Sequence, residues 1–428
     1  MQRAKVPIFI LLSTTLLSAT TISELIDNGL ANSSIIQKNR LQTELIEAKK
    51  EESRASRFGE FDMVGSYTHY NLPRTLAPIV PSALSPNSSV ETTQDLFTTG
   101  VQYSVPLFTG GALQEQIQID QLSKSMSQKK ARLSREELIY NIRSLYLSGL
   151  SLQELISAQN LYIEALEKLK EIISQGVSFG KKAKIDIIKT DSSLQEAKGR
   201  LAQMQSSLKM IKSTLSATTH TPNIDYLESI EVDMNGERTI LVDRDSLNGL
   251  DRFELQDLEI EKGSRVISKV KASKKPQVAL NGYWGDNYDI DGSLNRENLW
   301  QIGVNLKWNI FDFGKSLAKI QQAKIAKLQA IVQKEVTTEG FKKLLAQATN
   351  KIESALADYQ TDLSKLELLQ ESQQIEEARY SAGVATLNDL LLAKSKTQLT
   401  KSKLIESGYA YQNGVYYLDY LLERGEER

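Results

Sequence analysis

The side chains that could carry chemistry are two aspartates, each placed six residues after a glycine. Asp186 follows Gly180, and Asp389 follows Gly383. A breaker-poor helical stretch starts near each aspartate, so both carboxylates fall in a first helical turn, where the helix dipole favours an acid. Thr386 precedes Asp389 by three residues, which is the spacing of a capping box. From the residues alone, these carboxylates could cap the helices that follow.

The composition excludes most other chemistry. The 428 residues include no cysteine and only two histidines, His69 and His220, which are too far apart to read as a ligand pair. Thiol catalysis, thiolate metal sites and disulfides are therefore excluded. With 52 basic and 53 acidic residues, the chain has no basic excess to suggest nucleic acid as a partner. We predict a protein that is not an enzyme and that uses no metal and no cofactor.

The surroundings of the two glycines differ in charge. Lys181, Lys182 and Lys184 make the first turn basic. Such a run is commonly a solvated surface, but it could also dock a partner or form a cationic rim around the carboxylates. Gly180 and Gly383 are predicted to reverse the backbone with positive φ, the conformation that glycine adopts most readily.

The two aspartates belong to a long internal repeat. The segment at residues 101–111 returns at residues 304–314, and the glycine and aspartate of the turn return with the same offset of 203 residues. A long internal period indicates that copies of one unit bury their apolar faces against each other or against further copies. Each unit reads as helix, β-hairpin, long helix, turn and helix.

The domain boundaries follow from this repeat. A basic start, an apolar core and a small-residue exit predict a signal peptide at residues 1–20. The first repeat is placed at 21–217, with a hairpin at 61–108, a long helix at 112–174 and a turn at 175–184. A linker occupies 218–250. The second repeat is placed at 251–428, with a hairpin at 276–310, a long helix at 315–378 and a turn at 379–386.

Within these units we predict one helix at 22–57 and strands at 61–70, 98–108, 276–284 and 300–310. In the first long helix, eleven positions from Leu138 to Ile173 step by four and three residues, and eight of them are apolar. This heptad seam has a second apolar phase beside it, which indicates packing against neighbours on both sides.

The last predicted strand has one apolar face, formed by Trp300, Ile302, Val304, Leu306 and Trp308. Its length and its tryptophans near both ends fit a tilted transmembrane β-strand. A half-buried strand of a soluble sandwich is the alternative. After the signal peptide no apolar run is long enough to cross a bilayer as a helix, so any crossing must use strands. Four strands cannot close a barrel alone, which favours a barrel shared between subunits.

Together these features closely resemble the TolC-like outer-membrane efflux protein family. The resemblance rests on the two repeats, on Phe-x-(Gly/Phe)-Gly at residues 108–111 and 311–314, and on the turn motif YSAGVATLNDLL at 380–391. It implies a mainly α fold with a β-hairpin in each half. Three identical chains would form a twelve-stranded outer-membrane barrel, continued by an α-helical barrel across the periplasm. Members serve as exit ducts of tripartite efflux pumps or type I secretion systems, together with a periplasmic adaptor and an inner-membrane transporter.

The resemblance also implies roles for the turns. Asp186 and Asp389 would form two rings of three carboxylates at the periplasmic aperture. The residues implied in docking of a partner are Gly180, Lys181, Lys182, Lys184, Tyr380, Gly383, Val384 and Ala385. Two other classes stay open on the sequence, a periplasmic coiled-coil adaptor and a structural envelope protein.

Overall fold

The computed structural model describes residues 20–81, 90–232, 234, 249–289 and 295–425. Apart from Thr20, the predicted signal peptide lies outside these residues, as does much of the linker. The elements are, in order, α1 (Ile22–Asn32), α2 (Ser34–Ala55), β1 (Glu60–Thr75), β2 (Thr92–Phe108), α3 (Ala112–Ser178), α4 (Lys184–Thr219), α5 (Asp251–Ala272), β3 (Gln277–Asp289), β4 (Arg296–Lys307), α6 (Lys315–Ser381) and α7 (Leu387–Leu421).

The element order confirms a mainly α fold with one β-hairpin in each half. The long helices α3 and α6 each contain 67 residues. Their first residues, Ala112 and Lys315, and their last residues, Ser178 and Ser381, are separated by the same interval as the sequence repeat. The duplication therefore extends to the ends of the helices.

The chain divides into two compact units. The first, here called the turn unit, contains Met1–Lys38, Arg132–Leu250 and Glu339–Arg428. The second, here called the sheet unit, contains Asn39–Ala131 and Asp251–Thr338.

The core of the turn unit is built on the heptad seam of α3. Ile142 and Tyr146 are fully buried and pack with Leu25 of α1 and Leu215 of α4. The Tyr146 hydroxyl lies 3.0 Å from the Thr20 carbonyl oxygen and 2.7 Å from the Glu228 carbonyl oxygen, and it can donate its single proton to one of them. The polar end of this buried side chain is thereby satisfied, as burial requires.

The sheet unit holds a four-stranded antiparallel sheet in the order β1-β2-β3-β4. Pairing of β2 with β3 joins the two repeats, and Gly100 lies opposite Gly285 in that pair. A Cβ atom at Gly100 would lie 2.8 Å from the ring of Tyr283. The glycine therefore allows an aromatic ring to cover the neighbouring strand.

Several predicted strand ends are wrong. β1 continues past Pro73 to Thr75, with a register shift between His69 and Arg74. Pro73 lies in this interruption of the ladder, where its missing backbone donor is tolerated. β2 begins at Thr92 rather than at residue 98, and β3 continues to Asp289 rather than ending at residue 284. Polar residues and glycines in these segments interrupt the alternation of apolar and polar side chains. β4 ends at Lys307, so Trp308 lies beyond the strand to which it was assigned.

The prediction of one helix over residues 22–57 is also wrong. α1 ends at Asn32, and Ser33 has an extended backbone with φ −64° and ψ 124°. The Ser33 hydroxyl accepts a hydrogen bond from the Ile35 amide at 3.3 Å. Serine and asparagine compete with the helical backbone for such bonds, which accounts for the break at Ser33.

Candidate functional site

The first turn lies between α3 and α4. Gly180 has φ 69°, and the Lys181 amide donates a hydrogen bond to the Gly176 carbonyl at 2.8 Å. Gly176 itself lies inside α3, which continues to Ser178, so the prediction that the helix ends at residue 174 is wrong. The residue before α4 is Ala183, which makes no side-chain capping bond.

The second turn lies between α6 and α7 and has a complete capping box. The Thr386 hydroxyl accepts from the Asp389 amide at 3.3 Å, and the Asp389 carboxylate accepts from the Thr386 amide at 3.0 Å. The capping role predicted from the spacing is therefore present. Hydrogen bonds from Thr386 are also the main reason why the pKa of the Asp389 carboxyl is lowered.

The two turns share one backbone conformation. Gly383 has φ 75°, close to the value at Gly180. The Val384 amide donates to the Arg379 carbonyl at 2.9 Å, which repeats the bond from Lys181 to Gly176 in the first turn. The positive φ predicted at both glycines is observed, and the turns differ mainly in their side chains.

One side-chain contact joins the two turns. The Lys182 ammonium lies 3.6 Å from the centre of the Tyr380 ring and 3.4 Å from the Tyr380 carbonyl oxygen. Tyr380 is only 6% exposed and packs with Ile173 and Leu390. Burial, with a smaller contribution from the charge of Asp186, raises the pKa of the Tyr380 hydroxyl. Lys182 is therefore held against the second turn by a cation–π contact.

The Tyr380 hydroxyl is buried and has no hydrogen-bond partner among the described residues. By contrast, Lys181, Lys184 and Val384 are exposed, and Val384 has 72% of its surface accessible. Asp389 is exposed and Asp186 half-buried. The residues predicted for docking are thus mostly at the surface of the turn unit, whereas Lys182 and Tyr380 hold the turns together.

The four-stranded sheet exposes a large apolar surface. On β4, Trp300, Ile302, Val304 and Leu306 are all more than 60% exposed. On the opposite edge strand, Phe61 and Met63 of β1 are 76% and 89% exposed. A soluble single chain rarely leaves such contiguous apolar surface in water, which indicates a covering partner or lipid.

Trp308, the remaining residue of the predicted apolar face, lies one position after β4. Its indole Nε1 donates a hydrogen bond to the Lys274 carbonyl at 3.0 Å. A ring that is half-exposed with its polar atom satisfied is typical of the boundary between apolar and aqueous surroundings.

Within the described residues, no group of three or more histidine, aspartate or glutamate side chains is arranged to hold a metal ion. In the same part of the chain, no helix is long and apolar enough to cross a membrane.

Comparison with protein families decides the assignment. Residues 25–219 and 257–422 match the family described as outer membrane efflux protein. The chain belongs to this family. As an outer-membrane efflux protein it is a channel, and the match provides no support for the adaptor or the structural envelope protein that the sequence left open.

Solved structures show the same fold at low sequence identity. VceC from Vibrio cholerae is 15% identical with a TM-score of 0.75, covering 94% of this chain and 96% of its own. The open state of MtrE from Neisseria gonorrhoeae is 16% identical with a TM-score of 0.77, and the coverages are 94% and 89%. CmeC from Campylobacter jejuni is 18% identical with a TM-score of 0.70, and the coverages are 94% and 86%. No curated protein sequence matches the chain.

The contact between Lys182 and Tyr380 in this efflux protein was missed by sequence reasoning. Both residues were named as docking residues, but nothing in their local spacing pairs them. The 203-residue repeat could have suggested that the two turns lie at equivalent positions, although not that these two side chains meet.

Proposed function

We propose that three copies of this chain form the outer-membrane exit duct of a tripartite efflux pump, with the turns at its periplasmic mouth. A periplasmic adaptor and an inner-membrane transporter would complete the pump, and the chain would reach the outer membrane by means of its signal peptide. The observation that carries this proposal is the sheet, which combines an exposed apolar face with two unpaired edges.

The open edges of the sheet require further copies of the chain. Within the described part of the chain, β1 and β4 each pair on one side only. Unpaired strand edges are costly in a membrane, where no water can satisfy the backbone, so the sheet must close on further copies. Four strands are too few to close a barrel, and three copies give a barrel of twelve. The apolar face of β4 would then face lipid.

The first test is the mass of the detergent-solubilised full chain. We expect a trimer by light scattering or native mass spectrometry, as the resemblance to the efflux family implies, whereas a monomer would leave its strand edges open. The same preparation should conduct ions in planar bilayers. A stable, conducting monomer or dimer would contradict the proposal.

We propose that the mouth opens through rearrangement of residues 176–186 and 379–389, driven by a partner. The chain itself has no recognised nucleotide-binding motif, so the energy must come from elsewhere. Threefold symmetry would place Asp186 and Asp389 as two carboxylate rings. The exposed, non-capping parts of the turns, including Lys181, Lys184 and Val384, would then be available to the adaptor.

The aspartate rings give a second prediction. Changing Asp186 and Asp389 to Asn should reduce the cation preference of the channel in planar bilayers, because like charges in a constriction attract counter-ions. Asp186→Asn alone is the cleaner test, since Asp389 also caps α7 whereas Asp186 makes no side-chain capping bond. Unchanged ion selectivity in both the single and the double variant would restrict the two residues to a structural role.

A further inference from the structure

Thr20, the last residue of the predicted signal peptide, is built into the core of the turn unit. It forms a parallel β-bridge with Leu227, which is fully buried. The Thr20 amide donates to the Tyr226 carbonyl at 2.9 Å, and the Thr20 carbonyl accepts from the Glu228 amide at 3.2 Å. Thr20 itself is only 9% exposed. The residue at which the signal peptide was expected to end is therefore part of the folded structure.

Helix α3 holds the segment with which Thr20 pairs. The Gln153 side chain accepts from the Leu227 amide at 3.0 Å and donates to the Leu227 carbonyl at 3.1 Å. A Cβ atom at Gly149 would clash with the Leu227 side chain, so this glycine makes room for it. The Tyr146 hydroxyl lies 3.0 Å from the Thr20 carbonyl oxygen. Thr20 thus pairs with a fixed part of the core rather than with a loose loop.

Removal of Thr20 together with the signal peptide would break this arrangement. The Tyr226 carbonyl and the Glu228 amide would both lose their bonds to Thr20. A cut one residue further along would also remove Thr21, whose hydroxyl caps α1 by accepting from the Glu24 amide at 3.1 Å. The contacts of Thr20 and Thr21 therefore favour a cut before Thr20.

The sequence indicates which bond is cut. Signal peptides end in small residues with an Ala-x-Ala-like pattern, in which the residue directly before the cut is small. Ala19 is the only alanine between the apolar core and α1, and Leu17 departs from the pattern two residues earlier, so the argument depends on Ala19. A cut after Ala19 satisfies both this pattern and the bridge at Thr20.

We propose that the signal peptide is removed by hydrolysis of the bond between Ala19 and Thr20, so that the mature chain begins at Thr20. This inference rests on the export through a signal peptide that the proposed function includes. Hydrolysis adds one water across the peptide bond, which leaves a carboxylate on Ala19 and an α-ammonium group on Thr20. The ammonium group still has a hydrogen for the Tyr226 carbonyl, and the Thr20 carbonyl is unchanged. The bridge to Leu227 therefore survives the cut.

The first test reads the N-terminal residue of the full protein after expression in a bacterial host with an outer membrane. N-terminal sequencing and intact mass of the membrane fraction should show one species that begins at Thr20. A chain that begins at Met1, Ala19, Thr21 or a later residue would overturn the proposal. If such a chain still conducts ions in planar bilayers, the channel function stands and only the cleavage site is wrong. An unprocessed chain that never reaches the membrane would contradict both.

Two arginine variants locate the cut independently. Ala19→Arg places a large charged residue directly before the proposed bond and should slow processing at least about tenfold. Ser18→Arg is the matched control, because residue 18 takes the unconstrained middle position of the pattern, and it should be processed within about twofold of the unmodified rate. Pulse-chase labelling and gel electrophoresis measure both rates. The opposite order would place the cut after Ser18 or Thr20, and equal rates in the two variants would likewise contradict the proposal.

The place of Thr20 in the folded protein has a separate readout. The Glu228 amide should exchange slowly with solvent in the mature protein, because it donates to the Thr20 carbonyl. Hydrogen exchange followed by mass spectrometry measures this protection without any substitution. Fast exchange at Glu228 would show that Thr20 does not pair with the core and would overturn the structural reason for a cut before it.

Discussion

Arginine at Ile302 or Val304 is expected to prevent insertion of the chain into the outer membrane while its helices still form. Both side chains lie on the exposed apolar face of β4, at 72% and 62% exposure. An arginine on the lipid face costs about 2–4 kcal/mol per chain near the bilayer midplane, and a trimer incurs this cost three times. Heat-modifiable mobility of outer-membrane fractions measures insertion, and circular dichroism measures helix content.

Gln301→Arg is the matched control, because residue 301 lies between 300 and 302 on the strand and points to the opposite face. This variant should insert normally. If the arginines at 301, 302 and 304 have the same effect, the assignment of the two faces of β4 is wrong.

If the two turns form the proposed mouth and separate when it opens, Lys182→Gln is expected to shift the mouth towards its open state. The cation–π contact with Tyr380 is worth about 1 kcal/mol in a partly buried setting. If three chains open together, about 3 kcal/mol is lost, which is more than a hundredfold in the equilibrium constant. Single-channel recordings in planar bilayers should therefore show a larger open fraction without any added partner. Lys182→Arg keeps a cation over the ring and should retain most of the closed state.

The neighbouring Lys181→Gln removes the same charge from an exposed side chain, whereas the contact with Tyr380 is made by Lys182. Its open fraction should stay close to that of the unmodified channel. Equal opening in the 181 and 182 variants would show that net charge, rather than the contact with the ring, controls the mouth.

Long-range periodicity made much of the fold predictable. A proline-free run followed by Gly176 and Gly180 predicted α3 to end at residue 174, and it ends at Ser178, because Gly180 rather than Gly176 supplies the left-handed conformation. The ends of the strands were harder to predict. Gly282 and Gly285 interrupt the alternation of apolar and polar residues in β3, and Pro73 does not end β1. The break at Ser33 gives only a weak signal, because serine is tolerated within helices.

At the two turns, prediction succeeded where a feature depends only on residues that are close together in the sequence. The capping box requires only Thr386 and Asp389 at the correct spacing, so the sequence is sufficient. The contact between Lys182 and Tyr380 joins residues that are 198 positions apart in the sequence. It depends on how the helices beside the two turns pack. No pattern in a single sequence encodes it, and the same is true of the pairing between β2 and β3.

The difference between Ala183 and Thr386 has a consequence for symmetry. In a ring of three chains, six helix starts would surround the mouth with similar backbones, but only the three α7 starts would carry a capping box. An uncapped start frays more readily, by about 1 kcal/mol. The six helix starts would thus share one backbone conformation, but they would alternate between three mobile starts and three rigid ones. Amide hydrogen exchange should be faster at the start of α4 than at the start of α7. Gene duplication would thus have given the ring two kinds of helix start, an uncapped one in α4 and a capped one in α7.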